Sequence, residues 1–153
     1  PSGPLRQNFS SIKKADCIFI NGDKNLEFES KIKEVNQNVK IFYSKYKIKD
    51  LDKFKNKKVV AFAGIGNPSN FFKFLKENNI NIKKTYSFPD HHNYSKKDYD
   101  YLIKLSEEGV LLVTTEKDYS RLNDKMKKSF DYVKIKLEIE NKNQFINLIK
   151  SKL

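Results

Sequence analysis

Several residue types are scarce in this 153-residue chain, which has one cysteine, two histidines and no tryptophan, and whose 31 basic residues include only two arginines, Arg6 and Arg121. Cys17, in "DCIFIN", can form no intrachain disulfide and no cysteine-rich zinc site; this fits a reducing compartment and predicts a small core residue. The histidines, His91 and His92, are neighbours in "SFPDHHNY". With no third histidine, a metal would have too few ligands, so no metal site is expected. Long apolar runs are also missing: "VVAFA" from Val59 and "VLLV" from Val110 are strand-sized, far short of the ~20 residues of a membrane-spanning helix. No G-x-x-x-x-G-K-[ST] run occurs, so these residues hold no phosphate cradle of the P-loop kind. The sequence opens at Pro1 without a charged and apolar leader, and the expectation is that it starts inside a longer protein.

The net charge is +12. Such an excess invites a nucleic-acid or anionic-membrane partner, yet it is almost all lysine, scattered along the chain. Arginine makes the planar bidentate contacts that read phosphates and bases, and it is nearly absent. The charge is therefore read mainly as solvated surface with some attraction to acidic membrane, and no specific nucleic-acid partner is expected.

The length suits a single α/β domain over residues 1–153. "CIFIN" reads as a buried strand, and "FESKIKEV" places Phe28, Ile32 and Val35 at helical spacing. "VKIFYSKY" suits a strand. "VVAFAGIGNPSNFFKFLKENN" predicts a buried strand, a tight turn, Asn67 as N-cap, Pro68 at the first helical position and a helix burying Phe71, Phe74 and Leu75. After a strand in "NIKKTYSF", Ser95 and Asp98 have capping-box spacing and open a helix carrying Tyr101, Leu102 and Leu105, which stops at Gly109. "VLLVTTEKD" reads as a strand with a polar tail, "YSRLNDKM" as one short helix, "YVKIKLEI" as one edge strand, and a last helix from about Asn141 presents Phe145, Leu148 and Ile149. This alternation predicts a three-layer α/β sandwich with a largely parallel sheet.

Three polar clusters, "GIGNPSN", "FPDHHNY" and "TTEKD", fall where strands end, the place where open parallel sheets bind ligands. "GIGNPS" is no dinucleotide fingerprint, since Ser69 stands at the third glycine position; it is either an anion-binding turn or a turn only. In "PDHH" an imidazole beside Asp90 suits acid–base chemistry, against the plainer reading of a polar loop with a helix cap. In "TTEKD", Lys117 with the Thr114 and Thr115 hydroxyls could bind phosphate, but the spacing favours loops tied together by ion pairs.

In order, "PSGPLRQNFSSIKKADCIFINGD", "VVAFAGIGNPSNFF", "SFPDHHNYS" and "VLLVTTEKDYSRL" closely resemble the C-terminal half of tetraacyldisaccharide 4'-kinase, the lipid A 4'-kinase of Gram-negative bacteria, from Pro1 to about Leu122. The resemblance implies one lobe of a two-lobe P-loop-type kinase that phosphorylates the 4'-hydroxyl of tetraacyldisaccharide 1-phosphate at the cytoplasmic face of the inner membrane. ATP and Mg²⁺ would be bound mainly by the N-terminal P-loop lobe, fused or separate. It further implies His91 as the catalytic histidine, paired with an aspartate of the other lobe, and Arg6 and Asp90 as substrate-binding residues. One departure is Gln7, where the family usually has Glu. The competing reading is a non-catalytic lysine-rich module, or a degenerate kinase remnant, that binds nucleic acid or anionic surfaces.

Overall fold

The computed structural model describes residues 8–106 and 109–153. The chain forms two compact units, one of residues up to Lys47 together with Leu137–Leu153, the other of Ile48–Lys136.

The first unit carries β1 (Cys17–Asn21), α1 (Leu26–Val35), most of β2 (Lys40–Ile48) and β7 (Ile135–Ile139), and α6 (Lys142–Lys150). The strands lie in the order β1-β2-β7, with β1 parallel to β2. Asn25 caps α1 through a bond from Phe28 N–H (2.9 Å), and Ile32 is the helix residue driven into the core. Phe145 of α6 meets Phe19 and Phe42 edge-on at 4.7 and 5.5 Å between ring centres, an arrangement suited to aromatic quadrupoles. Cys17 is half-buried and unpaired.

The second unit is a doubly covered parallel sheet in the order β4 (Asn81–Ser87), β3 (Lys58–Ala63), β5 (Val110–Thr115) and β6 (Asp131–Val133). Val59 to Ala63 are all fully buried, as a central strand covered on both faces requires. Alternation sends Val59, Ala61 and Ala63 to one side against Phe72 and Leu75 of α2 (Pro68–Glu77). Val60 and Phe62 go to the other side, against Leu102 of α3 (Lys96–Lys104) and Met126 of α5 (Asp124–Ser129). This unit has the three layers expected.

Two expected caps are present: Asn67 accepts from Asn70 N–H (3.3 Å) with Pro68 at the first helical position, and Ser95 and Asp98 form a reciprocal capping box. Asn79, at φ 58°, closes α2 in the left-handed conformation that glycine usually supplies.

Local readings needed adjustment. Phe72, rather than Phe71 or Phe74, joins Leu75 as a buried residue of α2, and α3 ends at Lys104 with Tyr101 exposed. "YSRLNDKM" is two short helices, α4 (Glu116–Arg121) and α5, because Asn123 caps a new one by accepting from Met126 N–H (3.0 Å). "YVKIKLEI" belongs to two strands in different sheets, β6 and β7, separated at Lys134, whose carbonyl accepts from Lys49 N–H (2.9 Å). Alternating hydrophobicity reports that a segment is extended, not which partner it has.

Candidate functional site

The second sheet changes winding direction between β3 and β5. From β3 the chain crosses to β4 on one side, while from β5 it goes to β6 on the other. The loops at the carboxyl ends of these neighbours diverge and leave a crevice, the usual ligand position in such folds. All three polar clusters assemble there, around the backbone of Gly64.

Gly64 N–H donates to Asp118 Oδ2 (3.1 Å), and its carbonyl accepts from His91 N–H (3.1 Å) and Arg121 Nη1 (3.3 Å). A side chain would be crowded, since a Cβ would stand 3.0 Å from His92 Cβ and 3.1 Å from both the Pro89 carbonyl oxygen and the Tyr94 hydroxyl. At Gly66 the nearest atom, Asp90 Oδ2, would be 3.4 Å away, an ordinary contact. Of the two glycines in the turn, space favours glycine at the first and is indifferent at the second.

Asp118 is the buried anchor, with 0% exposure. Its Oδ2 also accepts from the Thr115 hydroxyl (2.7 Å), and Thr115 Oγ1 accepts from Asp118 N–H (3.0 Å) to cap α4. Its Oδ1 accepts no hydrogen bond and faces Arg121 Nη1 at 3.6 Å. Burying a carboxylate is costly unless an opposite charge accompanies it, and Arg121 is that charge. Burial, and after it the Asp118 carboxylate, pushes the Tyr94 phenol up.

The two histidines differ in every respect. His91 has its side chain 70% exposed and φ at 60°, in the left-handed region. The other non-glycine residues there among those described, Asn56, Asn79 and Asn141, are asparagines, which tolerate it best. His91 is held by its N–H bonds to Gly64 and to Asp90 Oδ1 (2.9 Å); its Nδ1 lies 3.2 Å from Arg121 Nη2, and its Nε2 3.9 Å from Asp90 Oδ1. His91 thus presents an exposed side chain at the crevice from a strained, hydrogen-bonded backbone.

His92 is turned inward, stacked on Phe88 at 4.8 Å and bonded through Nε2 to Asp98 Oδ2 at 3.1 Å. Burial opposes charge on Asp98, but bonds from the Ser95 hydroxyl and N–H, then from His92, outweigh it and hold that carboxyl below its ordinary value. His92 thus ties the loop to the start of α3. In the third cluster the Thr114 hydroxyl donates to the Phe62 carbonyl (2.7 Å), Thr115 serves the cap, and Lys117 stands 3.8 Å from Asp90 Oδ1. This is the loop-tying arrangement, with neither hydroxyl left for phosphate.

Residues 1–153 match the family model described as tetraacyldisaccharide-1-P 4'-kinase. The chain belongs to the tetraacyldisaccharide 4'-kinase family. The tetraacyldisaccharide 4'-kinase of Pelagibacter ubique (strain HTCC1062) is 38% identical over 151 residues, which are 96% of this chain and 48% of that protein. The tetraacyldisaccharide 4'-kinase of Rickettsia akari (strain Hartford) is 37% identical over 126 residues, 81% of this chain and 38% of that protein. A crystal structure of LpxK from Aquifex aeolicus in complex with ATP superposes with a TM-score of 0.65 at 25% identity, covering 99% of this chain and 47% of the other. The chain therefore spans about half the length, or less, of the relatives it matches. Membership favours the kinase reading over that of a lysine-rich module.

Of the residues singled out from the sequence of this tetraacyldisaccharide 4'-kinase family member, His91 and Asp90 lie at the crevice, while Arg6 and Gln7 lie outside the described residues. Among the described residues no three His, Cys, Asp or Glu side chains converge where they could hold a metal, and Lys117 beside Asp90 would repel one. Asp118 and Arg121 were not singled out as site residues. The available signals were Thr115 and Asp118 at capping distance, and an arginine, rare in this chain, one helical turn after the aspartate.

Proposed function

We propose that this chain is the C-terminal lobe of a kinase that transfers the γ-phosphate of ATP to the 4'-hydroxyl of tetraacyldisaccharide 1-phosphate. The observation that carries the proposal is the family match over residues 1–153; Asp90 and His91, which resemble the family's DH pair, lie at the switch-point crevice and support it. ATP and Mg²⁺ are assigned to an N-terminal P-loop lobe, fused or separate, since these 153 residues contain no phosphate cradle. The ATP in the Aquifex aeolicus LpxK crystal structure supports nucleotide use.

Phosphoryl transfer asks for an in-line hydroxyl, charge neutralisation and a place for the hydroxyl proton. His91 is assigned to that proton, either taking it directly or completing a pair with an aspartate of the other lobe. Asp90 and Arg6 are assigned to the acceptor. The enzyme is placed at the cytoplasmic face of the inner membrane, where the net charge of +12 favours an acidic lipid surface. No described helix is long and apolar enough to cross a membrane.

The test is phosphate transfer by a protein containing both lobes. His91→Ala should lower kcat by roughly 10²–10⁴-fold with ATP affinity near normal, while His92→Ala chiefly reduces stability. Equal kcat losses at both positions would reduce the pair to a loop-shaping motif.

A further inference from the structure

We infer that Arg121, held by the buried Asp118, is a positioning residue that fixes His91 as the neutral imidazole with its proton on Nε2; the consequence for catalysis rests on the role proposed for His91. A guanidinium carries donors only, so the 3.2 Å contact between Arg121 Nη2 and His91 Nδ1 is a hydrogen bond only if Nδ1 accepts. A ring accepting at Nδ1 carries its proton on Nε2, and an imidazolium would set N–H against N–H at this distance.

Arg121 is itself fixed. Its side chain is only 21% exposed, with Nη1 bonded to the Gly64 carbonyl at 3.3 Å and facing Asp118 Oδ1 at 3.6 Å. Asp118 is locked in turn by bonds from Gly64 N–H and the Thr115 hydroxyl. The Gly64 carbonyl receives both the Arg121 guanidinium and the His91 backbone N–H, so the ring and the group that orients it share one anchor.

This defines what His91 presents to a reactant. Its other nitrogen, Nε2, has Asp90 Oδ1 at 3.9 Å, too far for a hydrogen bond. The resting ring therefore offers an N–H, and acts first as a donor to an oxygen that approaches Nε2. Of the two roles proposed for His91 this arrangement serves the pair, with Nε2–H donating to an aspartate carboxylate that takes the hydroxyl proton; taking that proton on the ring itself would require Arg121 to leave Nδ1.

Nitrogen-15 NMR of the full 153-residue chain tests the arrangement, because its two histidines can be assigned with a single His92→Gln variant. At mildly alkaline pH the His91 signals should show Nε2 protonated and Nδ1 as a hydrogen-bond acceptor. In Arg121→Met the Nδ1 signal should move to that of a free acceptor and the ring should mix its two tautomers; Arg121→Lys should restore part of the wild-type pattern. A wild-type His91 protonated on Nδ1, or signals unchanged in Arg121→Met, would overturn the inference. If Arg121→Met fails to fold, the wild-type tautomer and Arg121→Lys decide it. In the two-lobe protein, Arg121→Met should lower kcat roughly 10–100-fold, and should cost nothing further when His91 is already Ala. An unchanged kcat in His91→Ala beside the expected NMR pattern would instead refute the catalytic role of His91 and leave the Arg121 contact standing.

Discussion

Gly64 packs closely under His92: a Cβ on Gly64 would lie 3.0 Å from that of His92. The neighbouring carbonyl of Pro89, at 3.1 Å, is backbone and cannot swing aside as a flexible side chain would. Gly64→Ala should therefore destabilise the chain by about 1–3 kcal/mol, as overpacking does. Gly66→Ala, with 3.4 Å available and no positive φ, should be neutral or stabilising by up to ~1 kcal/mol. Urea unfolding of the two variants reads the contrast directly, and a Gly64→Ala variant as stable as the wild type would show that the turn has room there.

Strain at His91 is measurable apart from its chemistry. With φ at 60°, every residue with a Cβ is disfavoured there and glycine is not. His91→Gly should be more stable than His91→Ala by about 1–2 kcal/mol, since both lose the imidazole and only the alanine keeps the strained Cβ. Equal stability would mean that the left-handed conformation is not retained in the variants.

Asp98 makes stability depend on acid. Its carboxyl is held below its ordinary value in the folded chain, so its contribution is complete above the unfolded-state value near ~3.9 and is lost as pH falls through the lowered folded value. Thermal unfolding between about pH 5 and 2 should show a smaller loss of stability in Asp98→Asn than in the wild type. An identical pH profile would remove Asp98 as the source. His92→Ala should weaken the same dependence, because its ring supplies one of the bonds to Asp98.

The surplus of positive charge should act without sequence preference. Binding to acidic vesicles and to duplex DNA should both be detectable at low salt and should fade steeply by ~200 mM, as counterion release requires. Sequence-selective DNA binding that survives at that salt would revive the module reading.

Much of the local structure is decided by short-range chemistry and can be read from the chain. The Asn67-Pro68 start of α2, the Ser95–Asp98 capping box and the burial of Val59 to Ala63 all depend on residues within a few positions of one another or on an unbroken apolar run. The three strand-end clusters were visible for the same reason, and so was the oddity of paired histidines. Tertiary structure decided which strands pair, and so that "YVKIKLEI" divides between two sheets at Lys134. It decided as well which histidine faces outward: His91 and His92 are adjacent, and only the left-handed turn at His91, Arg121 at its Nδ1 and Asp98 at the His92 Nε2 give them opposite surroundings. Those partners lie 30 and 6 residues away. The Asp118 anchor reaches Gly64 across 54 residues, a distance over which no local pattern carries information and only the parallel pairing of β3 with β5 brings the two loops together.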